Sequence, residues 1–150
     1  LEVDMVPGGG TLLVNAEVVK EGVLPLEKLF FGFEELDFCL RVQKAGFKNI
    51  VDTKIWLQEN YRLGLKNRDY KWKDSYFGKE EFLWRSYYST RNLLYIFFIN
   101  SYYPAFLFLL FKSLLKSLAG FRYGANYGRK NFSVQWQAII HFLTGTFGKA

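Results

Sequence analysis

A stretch of 19 residues without a charge, 93–111, limits the folds open to this chain. It nominally reaches the length of a membrane-spanning helix. However, Asn100, Ser101 and Pro104 lie in its middle. Because proline lacks the backbone N–H and clashes with the preceding turn, Pro104 predicts a break between two helices.

The helix after Pro104 is predicted to be amphipathic. At 100° per residue its apolar and polar side chains separate onto two sides. The apolar side carries Leu107, Phe111, Leu114, Leu115 and Leu118, and the other side carries Lys112, Ser113, Lys116 and Ser117. Such a helix lies in a membrane interface better than it crosses a bilayer. We therefore predict peripheral or monotopic attachment, with a true span, or a helical pair packed on a partner domain, as the alternatives.

Charge is distributed unevenly along the chain, whose net charge is +6. Residues 1–81 contain 12 Lys/Arg and 14 Asp/Glu, whereas residues 82–150 contain 8 Lys/Arg and no acid. A basic and strongly apolar segment is typical of proteins that bind an anionic membrane surface. No Arg/Lys-rich helix or recognised binding motif accompanies the charge, so we predict no nucleic-acid partner.

The chain has one cysteine, Cys39, and one histidine. It therefore has no internal disulfide, and the single cysteine fits a reducing compartment. A zinc site of His and Cys ligands is close to excluded, because such sites need three or four of them.

Three regions are expected. Residues 1–60 are expected to belong to an α/β domain. Gly8–Val14 is predicted to be a loop that runs into a short strand, and Phe47–Leu57 is predicted to be a strand. Asn15 is predicted to cap a short helix, Ala16–Glu21, that ends at Gly22, and a second helix, Glu34–Ala45, stops at Gly46. Residues 61–79 are polar and are expected to form a loop or lid. Residues 80–150 are expected to form a helical, membrane-associated region, and we expect the chain to be a fragment of a longer protein.

Three carboxylates lie within four positions, at Glu34, Glu35 and Asp37. Acids in a first helical turn stabilise a helix by about 0.3–1 kcal/mol each, and an Asp37–Arg41 pair adds about 0.3–0.5 kcal/mol. For Glu34 and Asp37, stabilisation of the helix start and a binding role are therefore equally good explanations. On the helical wheel Asp37, Arg41 and Lys44 form a polar stripe. Glu35 falls inside the apolar arc, so we expect it to be partly buried or to line a cleft, where a general base would lie.

The stretch "GFEELDFCLRVQKAGF" resembles the signature of family-2 glycosyltransferases of the GT-A fold, especially the rhamnosyltransferase-like branch. In that family an aromatic loop precedes Glu-Asp-x-Asp, Leu-x-Leu-Arg and Ala-Gly-aromatic. Upstream, "VDMVPGGGTLLVNAEVVKEGVLP" is similar to the family's glycine-rich stretch. Downstream, "YYSTRNLL" resembles its Tyr-Tyr-x-x-Arg-Asn, and "AIIHFLTGTFGK" resembles its glycine-spaced C-terminal end.

The resemblance implies an α/β fold, namely the C-terminal half of a GT-A domain followed by an α-helical, amphipathic membrane-associated tail. It implies inverting transfer of a sugar from a nucleotide-sugar donor to a hydroxyl of a glycan or lipid-linked acceptor, in cell-surface polysaccharide synthesis. By position Glu35 is the catalytic base. Glu34 and Asp37 bind the acceptor or fix the helix start, and the glycine-rich run lets backbone approach a sugar. That run is Gly8, Gly9, Gly10 and Thr11.

The resemblance also implies a divalent metal, Mg or Mn, held mainly by a donor-binding half upstream of Leu1. We expect no metal site within this chain, no activity from the fragment alone, and a location at the cytoplasmic face of the cell membrane. The alternative function is a non-catalytic protein that binds the membrane surface through its basic amphipathic tail. In that case the acids are helix caps.

Overall fold

The structure, a computed structural model, describes residues 1–6, 12–62 and 78–149, without the side chain of residue 60. These residues contain six α-helices: α1 (Ala16–Lys20), α2 (Glu34–Lys44), α3 (Thr53–Arg62), α4 (Leu83–Ile99), α5 (Tyr103–Ala119) and α6 (Ala125–Leu143). Short 3-10 helices occur at Glu27–Leu29, Glu80–Phe82 and Gly120–Tyr123. Within the described ranges the β-structure is one isolated antiparallel bridge, between Glu2 and Ile50.

The expected α/β fold, the C-terminal half of a GT-A domain, is therefore wrong for the described part of the chain, which is helical. Of the expected strand in Phe47–Leu57, the last five residues begin α3, and Ile50 makes the isolated bridge to Glu2. Asp52 caps that helix, because its Oδ1 accepts hydrogen bonds from the N–H of Lys54 (2.9 Å) and of Ile55 (3.2 Å). The β-branched residues suggested a strand, and the cap overrides that weak preference. Of the other expected strand, 12–14 has no regular structure.

Two compact units divide the chain. The first takes its described residues from Leu1–Pro25 and Glu35–Ser75, and the second, the helical unit, takes its described residues from Leu26–Glu34 and Tyr76–Ala150. In the first unit Val18 of α1 packs against Phe38 and Val42 of α2. The predicted helix over Glu34–Ala45 is thus confirmed in α2, with its apolar side buried.

In the helical unit α4, α5 and α6 contact one another. The break predicted at Pro104 is confirmed: α4 ends before Asn100, and Ser101 has a positive φ of 62°. Pro104 lies in the first turn of α5, where the missing N–H has no acceptor to satisfy. A 3-10 turn and Gly124, with φ of 104°, lead from α5 into α6.

Candidate functional site

The loop that leads into α2 is held by one side chain of α4. Asn92 is fully buried, and its Nδ2 donates to three backbone carbonyl oxygens, those of Leu29 (2.8 Å), Phe31 (2.8 Å) and Gly32 (3.0 Å). One amide group thereby binds three carbonyls within four consecutive residues of the segment Leu26–Glu34. We use the name loop clamp for Asn92, its neighbour Arg91 and the segment Leu26–Glu34 together.

Arg91 forms the second half of the loop clamp and is only 1% exposed. Its Nε donates to Asn92 Oδ1 (3.1 Å), and its Nη1 donates to the Tyr87 hydroxyl (3.2 Å) and to the Gly148 carbonyl (3.1 Å). Its guanidinium also lies 5.2 Å from the ring centroid of Phe147. Its Nη2 is buried without a hydrogen-bond partner among the described residues. Aromatic faces and neutral acceptors thus surround the charge of Arg91.

Residues near the C-terminal end of the chain also contact this loop. The N–H of Gly148 donates to the Lys28 carbonyl at 2.8 Å. Lys28 Nζ lies 4.0 Å from the ring centroid of Tyr95 and 5.2 Å from that of Phe147. Residues more than a hundred positions apart therefore hold the same loop.

The clamped loop has unusual backbone angles. Phe30 has φ of 53° and Phe33 has φ of 68°, with Gly32 at 79° between them. A residue with a Cβ in this region costs roughly 1–2 kcal/mol. Ring contacts to α4 offset part of this cost: Phe30 lies 5.4 Å from Tyr88 and Phe31 lies 4.8 Å from Trp84, between centroids. Strain that the surrounding contacts maintain is typical of functional loops.

The three acids follow this loop, and each has a different environment. Glu34 begins α2, and its Oε2 is buried without a described partner. Glu35 is half-buried and makes no side-chain hydrogen bond or ion pair with another described residue. Asp37 is fully buried, and its Oδ2 accepts from Arg41 Nε at 2.8 Å.

The predicted Asp37–Arg41 pair is therefore confirmed, but the wheel placed Asp37 on a polar, exposed stripe. What the wheel missed is that Arg41 also donates to the Leu24 carbonyl (2.5 Å), which anchors the pair in the first unit. Across the described residues no group of three or more His, Cys, Asp or Glu side chains is placed to hold a metal ion. The four residues of the glycine-rich run, Gly8, Gly9, Gly10 and Thr11, lie outside the described residues.

The first unit also contains a cavity of about 360 Å³. Its described lining is mostly apolar, with Val18, Phe38 and Phe47 among the side chains, and does not include Glu35. The cavity therefore offers Glu35 no cleft of its own.

A second candidate site is the outer surface of α5. Its two most buried side chains are the small polar ones Ser113 (3% exposed) and Ser117 (2%). The large apolar side chains point away from the protein and are mostly more than half exposed: Leu107, Phe108, Phe111, Leu115 and Leu118. We call these five the α5 stripe. The predicted apolar side is exposed except for Leu114, which is half-buried. Of the predicted polar side, the two serines pack on the protein, whereas Lys112 is exposed.

Helix α6 repeats this arrangement. Its exposed side carries Phe132, Trp136, Ile140 and Leu143. Its buried side carries Gln135, whose Nε2 donates to Ser86 Oγ (2.7 Å) and whose Oε1 accepts from Thr90 (3.0 Å).

Polar contacts continue through the helical unit. Asn131 Nδ2 donates to the Lys116 carbonyl (2.7 Å), and Lys116 Nζ donates to Ser86 Oγ (2.6 Å). Burial lowers the pKa of Lys116, and the nearby Lys112 charge lowers it further. Polar contacts between the helices, of a kind that is common between helices in membranes, thus accompany an apolar cluster of Tyr87, Tyr88 and Ala138.

The segment Tyr103–Tyr123 has a mean hydropathy of 1.5 over its most apolar window, and only 17% of that window is buried. By length and composition it can cross a membrane, although Lys112 and Lys116 lie within it. Comparisons with protein-family models, curated proteins and solved structures found no match to this chain.

Proposed function

We propose that this chain is the acceptor-side, membrane-associated part of an inverting glycosyltransferase. The enzyme transfers a sugar from a nucleotide-sugar donor to a hydroxyl of a lipid-linked glycan acceptor. One observation carries the proposal: the loop clamp brings together the stretches on which the resemblance rests.

The convergence supports the proposal for a physical reason. Arg91 and Asn92 come from "YYSTRNLL", and Gly148 comes from the glycine-spaced end. Both contact the aromatic loop directly before Glu34 and Glu35. A chain that needed only a helix start would not require a buried arginine, a fully buried asparagine and a strained loop at that point. A catalytic turn that must be held in one position does require such support.

Glu35 acts as the general base. Its carboxylate takes the proton from the acceptor hydroxyl while that oxygen forms a bond to the anomeric carbon of the donor sugar. The bond from this carbon to the diphosphate breaks, and the nucleoside diphosphate leaves with the electron pair. Among the acids of the cluster Glu35 is best suited, because Asp37 is buried and paired with Arg41.

The roles of the other acids differ. Glu34 begins α2 and favourably meets the helix dipole, while Asp37 with Arg41 anchors the helix. A divalent Mg or Mn ion would neutralise the leaving diphosphate in such an enzyme. The described residues do not fit this ion, since they contain no cluster of ligands for it, so no step is assigned to it here.

The test is a transfer assay on the whole protein in membranes, with a panel of nucleotide sugars. Glu35→Gln should reduce transfer by about 100-fold or more with donor binding intact, because glutamine cannot accept the proton. Glu21→Gln, an exposed acid beyond the end of α1, is the matched control and should transfer as wild type does. Wild-type rates in Glu35→Gln would remove the base role.

A second candidate function, non-catalytic binding to the membrane surface, is favoured by the α5 stripe. A contiguous row of exposed large apolar side chains is typical of a surface that lipid or another apolar partner covers. Replacing Phe108 and Phe111 with serine should reduce binding to lipid vesicles by at least about tenfold. Ile55→Ser, an equally exposed change in α3, is the control. Vesicle binding together with no sugar transfer from any donor would favour this second function.

A further inference from the structure

Three aromatic side chains of the helical unit gather at its surface, around the clamped loop. Phe30, Phe31 and Trp84 are 51%, 37% and 45% exposed. The ring centroids of Phe31 and Trp84 lie 4.8 Å apart. The buried ring of Tyr88 contacts all three, with centroid distances of 5.4, 6.0 and 6.3 Å in chain order. We use the name aromatic platform for Phe30, Phe31 and Trp84.

The exposure of these rings is not what packing alone would produce. The backbone of Phe30, with φ of 53°, is strained. Apolar burial commonly offsets such strain, but here both phenylalanines keep much of their rings in solvent. Asn92 maintains the strained loop by donating to the carbonyls of Leu29 and Phe31. A buried side chain that holds exposed rings in a strained loop is expected where those rings contact a ligand.

A charged group beside the aromatic platform narrows the class of ligand. The guanidinium of Arg85, an exposed residue, lies 5.2 Å from the ring centroid of Trp84. A sugar ring has C–H groups on one face, which pack on aromatic rings, and hydroxyl groups around its edge, which need hydrogen-bond partners. The platform offers the first kind of contact, and Arg85 offers donors for the second. A lipid chain would use the rings but would offer no acceptor to the guanidinium.

The chain itself keeps the aromatic platform near the proposed base. Phe31 and Glu35 are four residues apart, so their Cα atoms are at most about 14 Å apart. This distance corresponds to a few sugar units. A glycan whose reacting hydroxyl lies at Glu35 can therefore place a neighbouring sugar on the rings.

We propose that the aromatic platform is an acceptor subsite, where a sugar ring of the glycan stacks on Phe31 and Trp84 while Arg85 donates to its hydroxyls. The inference rests on the glycosyltransferase proposed above. It adds a binding surface for the glycan part of the acceptor, as distinct from its lipid part.

The test measures binding rather than transfer. The whole protein, in a detergent without a sugar headgroup, is applied to an array of short synthetic oligosaccharides, and the one it binds most tightly is titrated into the variants. Phe31→Leu and Trp84→Leu keep an apolar side chain but remove the aromatic face. Each should weaken binding by about five- to tenfold, because the stacking contact is lost.

Helix α6 offers a matched control pair. Phe132 and Trp136 are 37% and 40% exposed, and their ring centroids lie 5.8 Å apart. Phe132→Leu and Trp136→Leu therefore make the same chemical changes on a similar pair of exposed rings. Each should bind the oligosaccharide within about twofold of wild type, as surface substitutions away from a site usually do.

Vesicle flotation separates a sugar from a membrane as the ligand. Leucine and phenylalanine enter lipid about equally well, so Phe31→Leu should leave vesicle binding unchanged. If Phe31→Leu and Trp84→Leu bind the oligosaccharide as tightly as the control variants do, the aromatic platform is not a sugar subsite. A loss of vesicle binding alone would assign the rings to the membrane interface instead. Failure of wild type to bind any oligosaccharide of the array also refutes the subsite.

The subsite and the transferase can fail separately. Oligosaccharide binding that depends on the aromatic platform, without sugar transfer from any donor, would reject the transferase and keep the glycan-binding surface. Sugar transfer by wild type, with oligosaccharide binding that does not depend on Phe31 or Trp84, would reject the subsite alone.

Discussion

The role of Asn92 in the loop clamp can be tested with the substitution Asn92→Leu. Leucine has the same branching as asparagine but larger terminal groups, so the change removes hydrogen bonds without opening a cavity. It also keeps water away from the carbonyl oxygens of Leu29, Phe31 and Gly32, which lose their shared donor. Arg91 Nε loses its acceptor at the same time.

The expected size follows from these contacts. The Asn92 amide has two N–H groups shared among three carbonyls, so about two hydrogen bonds are lost, each with a net value of about 0.5–1.5 kcal/mol. A buried carbonyl or charged N–H left without a partner costs about 1–3 kcal/mol more. We expect Asn92→Leu to lower the free energy of unfolding by about 3–5 kcal/mol, a large part of the total for a typical domain.

Two measurements check this. Urea unfolding of the protein in detergent micelles gives the change in stability, with Asn126→Leu as the control. Asn126 is exposed and contacts Glu80 at 3.3 Å, so its loss should cost less than about 0.5 kcal/mol. Trypsin cleavage after Lys28 reports the loop itself. If the substitution destabilises the closed loop by about 3 kcal/mol, the equilibrium constant for loop opening rises more than about 100-fold.

If Asn92→Leu unfolds at the wild-type urea concentration and Lys28 remains as resistant to trypsin as before, Asn92 does not stabilise the loop. That result would mean that the carbonyls find other donors, and the convergence of the three stretches would then be incidental packing. Loss of stability with unchanged cleavage after Lys28 would locate the effect in the α4 packing rather than in the loop.

Two further changes test the packing of each unit. Gly120→Ala should lower the free energy of unfolding by about 1–3 kcal/mol in the same urea assay, because the new methyl group would lie 2.5 Å from Asn131 Nδ2; unchanged stability would show that Asn131 moves aside at no cost. Asp37→Asn should cost about 3 kcal/mol, since Arg41, only 24% exposed, loses its carboxylate partner. The exposed pair of Glu17 with Lys20 is its control, and Glu17→Gln should change stability by less than about 1 kcal/mol.

Local signals in the sequence predicted local structure well. Asn15 caps α1 as expected, with its Oδ1 accepting from the Glu17 N–H at 3.0 Å. Gly22 and Gly46, which were expected to end α1 and α2, both have positive φ. These predictions succeed because a cap or a left-handed glycine acts within a few residues.

Predictions that depended on distant partners were less successful. The β-branched residues before and within α3 fit a strand only if a neighbouring strand pairs with them, and Ile50 alone makes an isolated bridge. Asp37 was placed on an exposed stripe because the wheel contains no information about what packs over it. The clamp on Leu29 could not be found from spacing, since its two sides are 63 positions apart. The sequence signals for it were the motif "YYSTRNLL" and the glycine-spaced C-terminal stretch.

The orientation of α5 shows the same limit. Periodicity at 100° separates an apolar side from a polar side, but both orientations give the same wheel. The choice is made by the partners of α5. Ser86 on α4 accepts a hydrogen bond from Lys116 of α5, and the small side chains Ser113 and Ser117 allow α5 to pack closely on the helical unit. Exchanging the two sides of α5 would break the Lys116–Ser86 hydrogen bond and place large apolar side chains where the two serines now pack. The serine side of α5 therefore packs inward, and the α5 stripe is left outside.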